Sequence, residues 1–144
     1  MSIQQLSVFL ENQPGKLFEM TAVLAENKID IRALSLAETT DFGIARLIVD
    51  DAAKAASVLR SGDFIASGTD VLAFAVPNEP GGLHNLLAKF NAAQVNIEYM
   101  YAFLGNEDKK NAYMIFRVTD TPSAEAALTA LGLKPLSEQE IRTI

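Results

Sequence analysis

The strongest constraint on this chain is that it repeats itself. Displaced by 66 positions, the segment LSVFLENQPGKL from Leu6 falls on LAFAVPNEPGGL from Leu72. The identities are Leu6/Leu72, Asn12/Asn78, Pro14/Pro80, Gly15/Gly81, Leu17/Leu83, Ala22/Ala88 and Ile31/Ile97. Seven identities in the 26 positions from Leu6 to Ile31 compare with about one or two from ordinary composition. Met20/Leu86, Leu24/Phe90 and Ile29/Val95 add conservative matches. A longer turn in the second copy then moves the offset to 70, which aligns Asp50 with Asp120, Ala56 with Ala126 and Gly62 with Gly132. The chain therefore reads as one small folding unit built twice, over residues 1–68 and 69–144. Units of this size bury little core alone, so the two copies are expected to share an interface.

Each copy reads as strand, helix, strand, strand, helix, strand. Leu6, Val8 and Leu10 alternate on one face of a first strand, with Gln4 as an exception near its start. Pro14-Gly15 ends the strand, and Leu17, Met20, Thr21 and Leu24 then follow the helical spacing. Residues 29–38 and 43–50 are rich in Ile, Leu and Val and flank ETTDFG, which reads as a hairpin. Asp50-Asp51 opens an Ala-rich helix over 52–60 with Ala55, Val58 and Leu59 on one side, and Gly62 closes it. A short fourth strand follows at 63–67, and Gly68-Thr69-Asp70 reads as the linker to the second copy.

In that copy Leu83, Leu86, Leu87 and Phe90 form the helix stripe, and Val95, Ile97, Tyr99, Tyr101 and Phe103 hold a period of two. Gly105 to Asn111 is a polar hairpin loop, Thr121-Pro122 places a capping hydroxyl before proline, and Ser137 and Glu140 have capping-box spacing. The element order defines an α+β fold of two ferredoxin-like βαββαβ repeats. Each is expected to be an antiparallel four-stranded sheet with two helices on one face.

Composition removes most chemistries. Twelve Lys+Arg against eighteen Asp+Glu give a net charge of −6, which disfavours phosphate backbones. The Tyr99, Tyr101 and Phe103 ladder lacks the flanking positive charge of an RNA platform, since Glu98, Glu107 and Asp108 lie near it. Cysteine is absent and His84 is the sole histidine, so thiol catalysis, disulfides and a His-based metal cage are not expected. The longest purely apolar run is the six residues Val71 to Val76, far short of a membrane span. With no secretory pattern in MSIQQLSVFLEN, the expected setting is reducing and cytoplasmic. Gly15-Lys16 does not end a phosphate loop, because Leu10 stands where Gly is needed and Leu17 replaces Ser/Thr. No acid–base set suggests an enzyme, no catalytic residue is assigned, and no cofactor or metal is implied.

What remains is a strand-to-helix turn written twice, N-x-P-G-x-L, as NQPGKL and NEPGGL. A helix N-terminus offers unpaired N–H groups and the positive end of a dipole, which suits a carboxylate. Gly15 and Gly81 have no Cβ to block a ligand, and Asn12 and Asn78 each add a donor and an acceptor. Alternatively, the asparagines cap the helices and Pro-Gly only makes the turn. Asp30 in IDI and Asn96 in VNI interrupt apolar strand starts at matching positions. Such a residue can receive an ammonium group, or can guard a sheet edge against aggregation.

A ferredoxin-like repeat with N-x-P-G-x-L before its first helix and V-N-I at strand two resembles the ACT domain, here in tandem over essentially the whole chain. The resemblance implies a regulatory protein, not an enzyme, that binds a free L-amino acid and signals to amino-acid metabolism. The ligand would sit between one module's first loop and strand two of its neighbour. Carried over, the loop positions are Asn12, Gln13, Pro14, Gly15, Lys16 and Leu17 in the first copy and Asn78, Glu79, Pro80, Gly81, Gly82 and Leu83 in the second. The strand-two positions are Asp30 with Ile31, and Asn96 with Ile97. Copy one departs at Asp30, where amino-acid-binding members often have Asn, and Lys16 faces Gly82 across the copies. The expected partners are the amino acid, a second copy in a homodimer and an enzyme of amino-acid metabolism. A second reading is a regulatory subunit or assembly module that docks on a biosynthetic enzyme without binding a ligand itself.

Overall fold

The computed structural model describes residues 2–38, 41–103 and 110–144. Thr39 and Thr40 of the first expected hairpin turn, and most of the polar loop 105–111 with Glu107, Asp108 and Lys109, lie outside the described residues. The chain divides into two compact units, Gln4–Thr69 and Met1–Ile3 together with Asp70–Ile144.

In Gln4–Thr69, β1 (Ile3–Glu11), α1 (Lys16–Glu26), β2 (Ile31–Glu38), β3 (Phe42–Val49), α2 (Ala52–Ser61) and the start of β4 (Ile65–Pro77) follow one another. The strands lie in the order β2-β3-β1-β4, with β3 antiparallel to both β1 and β2. Alternation along β1 puts Leu6, Val8 and Leu10 on the helix side, where they pack with Met20 and Leu24 of α1 and with Ala55 and Leu59 of α2. Both helices thus cover one face. Gln5 is fully buried on the other side of β1, its amide nitrogen donating to Ser7 Oγ at 3.1 Å.

The second unit continues β4 and adds α3 (Gly82–Ala92), β5 (Ile97–Phe103), β6 (Asn111–Val118), α4 (Thr121–Ala130) and α5 (Glu138–Thr143). Its strand order is β4-β6-β5. Leu72, Phe74 and Val76 meet Leu86 and Phe90 of α3 and Ala124 and Leu128 of α4. The expected capping box is present, with Ser137 and Glu140 bonded reciprocally.

Five readings are corrected. Gly68-Thr69-Asp70 is not a linker but the middle of the 13-residue strand β4; a Cβ on Gly68 would press on Gln4 Oε1, so glycine keeps that strand within reach of Gln4. The cap of α4 is Asp120, whose carboxylate accepts from Ser123 N–H at 3.3 Å, and Thr121 is already helical. The second repeat has no fourth strand of its own among the described residues. After α4 the chain makes a ladder-like bond from Leu136 N–H to Ala73 C=O at 2.8 Å, and Pro135 beside it has no N–H to extend a ladder.

The fourth concerns register. The second halves of the repeats correspond at 69, not 70. The capping acids are Asp51 and Asp120, the buried helix residues are Ala55/Ala124 and Leu59/Leu128, and the left-handed residues are Asp63 and Gly132.

The period of two across Val95 to Phe103 is also broken. A bulge between Ile97 and Tyr99 shifts the pairing with β6 by one, and a one-residue slip exchanges the faces. Ile97 and Met100 consequently pack with the α3/α4 core, while Phe103 stacks on Tyr113, ring centroids 5.1 Å apart, away from it.

Candidate ligand site at the strand-to-helix turns

The two N-x-P-G turns have the same internal bonding. Gln13 N–H donates to Glu11 C=O at 2.8 Å, and Glu79 N–H to Pro77 C=O at 2.9 Å. Asn12 N–H is tied to Asp41 C=O at 3.1 Å and Asn78 N–H to Lys110 C=O at 2.8 Å, which fixes each turn to the entry of the third strand of its repeat. The cap of each helix is the glycine, in the left-handed region at φ 87° for Gly15 and 85° for Gly81. Neither cap forms a side-chain bond, so the asparagines are not the helix caps. The first-turn amides are thus unserved by any cap side chain. Nothing lies within 4 Å of where a Cβ on Gly15 or Gly81 would stand.

That open space makes the first prediction specific. Gly15→Ala meets no neighbour, so its penalty is the left-handed backbone alone, about 1–2 kcal/mol. A thermal melt should fall by a few degrees, and Gly15→Asn should recover part of the loss because Asn tolerates this region.

Around the first turn the residues form two adjoining clefts. The smaller, about 90 Å³, brings Asn12, Gln13, Lys16 and Leu17 together with Leu36 and Glu38 at the end of β2 and Gly43 of β3. The larger, about 330 Å³, is walled by Phe9, Phe42, Phe64 and Ile65. Leu10, Glu11 and Lys16 line both. Sequence reasoning named the polar residues of the first cleft but not Glu11, Glu38 or the aromatic wall. The available clue was Phe9, an apolar residue on the face of β1 opposite Leu6, Val8 and Leu10.

The strand-two residues lie elsewhere. Asp30 immediately precedes β2, whose eight residues separate it from Glu38 by about 25 Å at strand rise. Asp30 and Ile31 are thus not brought to the Asn12 turn within their own repeat, and Asn96 and Ile97 stand in the same relation to Asn78. Asp30 N–H donates to Asp50 Oδ1 at 3.0 Å, and its carboxylate accepts from Arg32 at 3.2 Å. Asn96 instead donates through Nδ2 to Thr119 Oγ1 at 3.1 Å, which leaves its amide oxygen as an acceptor. An ammonium group at Asp30 meets a competing guanidinium, whereas at Asn96 it does not.

The second turn differs from the first at its helix start. Gly82 is buried against the Pro77 carbonyl, where the first repeat carries the half-buried Lys16. His84 on that first turn is exposed. Among the described residues, no cluster of His, Cys, Asp or Glu is suited to hold a metal, and no helix is long and apolar enough to cross a membrane.

A tandem ferredoxin-like fold with these turns is that of a paired regulatory domain, and sequence comparison agrees. The chain matches the family model of the ACT domain pair over residues 1–144, and it belongs to that family. No curated protein matches it. Among solved structures it is similar to protein BT0572 from Bacteroides thetaiotaomicron, with 37% identity and a TM-score of 0.91 over 100% of this chain and 98% of that one. The regulatory subunit of aspartate kinase from Thermus thermophilus, in ligand-free form, shares the fold at 18% identity and a TM-score of 0.66 over 90% of each chain. The corresponding subunit from Thermus flavus gives 18% and 0.61 over the same share of each chain.

Proposed function

We propose that this protein is a non-catalytic regulator that binds a free L-amino acid at its N-x-P-G turns and signals its level to an enzyme of amino-acid metabolism. The observation that carries the reading is the duplicated turn, with two left-handed glycine caps, no capping side chain and the same backbone ties. Amide hydrogens at the helix start receive the α-carboxylate. The α-ammonium goes to a strand-two position, and the Asn96 oxygen is better disposed for it than the Arg32-paired Asp30. Since turn and strand-two residue lie at opposite ends of one repeat, a ligand using both requires two modules, within a chain or across a homodimer. Differential affinity for one arrangement of modules is then the physical basis of a signal.

Calorimetric titration of the full chain with each of the twenty L-amino acids tests this. At least one is expected to release heat and raise the melting temperature, and Asn96→Ala should weaken it about tenfold. Absence of heat and of thermal shift with all twenty would overturn the reading.

A docking module is the second reading, and Phe18 favours it. That residue is 77% exposed on α1, the most exposed of the large hydrophobic residues described. On that reading Asn96→Ala leaves capture of the partner enzyme unchanged, while Phe18→Ser abolishes it.

A further inference from the structure

The larger of the two clefts is unusual in its walls. Phe9 and Phe42 are each 43% exposed and Ile65 is 68% exposed. The Phe9 and Phe42 rings lie 5.9 Å apart at an interplanar angle of 57°, forming one tilted wall, and half-buried Phe64, which packs on the core, lines the cleft as well. At about 330 Å³ the space is within the lower range of small-ligand sites, which are mostly apolar with few polar groups. The fold does not require these side chains. At the corresponding positions of the second repeat stand Ala75, Asn111, Leu133 and Lys134, and that repeat builds the strands matching β1, β2 and β3 and its first helix without the Phe9/Phe42 pair.

Three charged residues line this cleft: Lys16, Glu11 and Asp63. Lys16 and Glu11 line both this cleft and the smaller polar one. The half-buried Lys16 ammonium is 3.6 Å from the exposed Glu19, a weak pair that a ligand carboxylate can displace. Glu11 places an anion beside the same border.

We infer that the first repeat holds an L-amino acid with an aromatic or large branched apolar side chain, whose side chain enters the Phe9/Phe42/Phe64/Ile65 cleft while Lys16 joins the helix-start amides in holding its carboxylate. This rests on the amino-acid-binding reading and narrows the ligand class. It also makes the repeats unequal. Gly82 stands where Lys16 would be needed, so the second repeat has neither the apolar wall nor the cation.

The test is titration of the full-length protein with phenylalanine, leucine, aspartate, serine and lysine. Phenylalanine or leucine is expected to bind at least about tenfold tighter than the polar three. Phe42→Ala and Lys16→Gly should each weaken that ligand about tenfold, and Lys134→Ala in the second repeat should leave it unchanged. Ile65→Ser, at the most exposed wall position, gives a second readout if Phe42→Ala proves poorly folded. Tighter binding of aspartate, serine or lysine, or unchanged affinity in both wall variants, overturns the apolar subsite while amino-acid binding stands. No heat with any amino acid overturns both.

Discussion

Gly82→Ala is expected to lower the melting temperature by about 10 °C, the effect of a loss near 3 kcal/mol. A Cβ on Gly82 would sit on the carbonyl oxygen of Pro77, well inside contact distance, with the Pro77 carbonyl carbon next at 3.3 Å. These are backbone atoms and cannot turn aside as a flexible side chain would. The turn has no slack, because Glu79 N–H bonds to Pro77 C=O at 2.9 Å and Gly82 N–H to Glu79 C=O at 3.0 Å. Relief of the clash therefore breaks the turn or displaces the start of α3. The first repeat supplies the control. Its Lys16 carries a full side chain after a looser turn, Lys16 N–H to Gln13 C=O being 3.4 Å, so Lys16→Ala should change stability by less than about 0.5 kcal/mol. Equal melts for wild type and Gly82→Ala by circular dichroism would show that the two turns are not different in this way.

Phe90→Ala should cost about 3–5 kcal/mol. Phe90 is 2% exposed and meets Phe116 at 4.7 Å and Phe74 at 5.7 Å between ring centroids. Phe74 and Phe116 also meet at 6.1 Å, so removing one ring opens a cavity among three elements, β4, α3 and β6. The matching positions of the first repeat are Val8, Leu24 and Leu47, all buried. The duplicated core thus keeps its geometry with rings in one copy and aliphatic chains in the other. Urea denaturation should show a lower midpoint with little change in slope, since slope follows the surface exposed on unfolding. A midpoint within about 0.3 M of wild type, at a slope of about 2 kcal/mol/M, would mean that the three rings do not pack as a unit.

The exposed wall of the larger cleft and the buried triad of the second repeat make opposite use of aromatic residues. In the second unit the rings close on one another and hold the core. In the first, Phe9 and Phe42 pair on the surface, where they stabilise little until something covers them. Sequence comparison between the copies identifies both groups, but only exposure separates a core from a subsite.

Local spacing alone determined the duplication, the order of elements apart from the last strand of the second repeat, the helix stripes and the two glycine turns, because each depends on residues a few positions apart. It placed the Ser137/Glu140 box and the acid at the start of α2 for the same reason. Register across the sheet is not local. The bulge after Ile97 turned Tyr99, Tyr101 and Phe103 to the face away from the helices, and the Gly68-Thr69-Asp70 segment became strand because of what lies beside it. The candidate site shows the division most clearly. The sequence marked Asn12 with Asn78 and Asp30 with Asn96 as matching polar positions, and the folded sheet set the length of β2 between Asp30 and the cleft at the Asn12 turn. It also decided that Phe9, Phe42, Phe64 and Ile65, drawn from three strands and a loop, face one cleft beside Lys16. Pairing between strands distant in sequence sets both facts, and no short-range pattern encodes it.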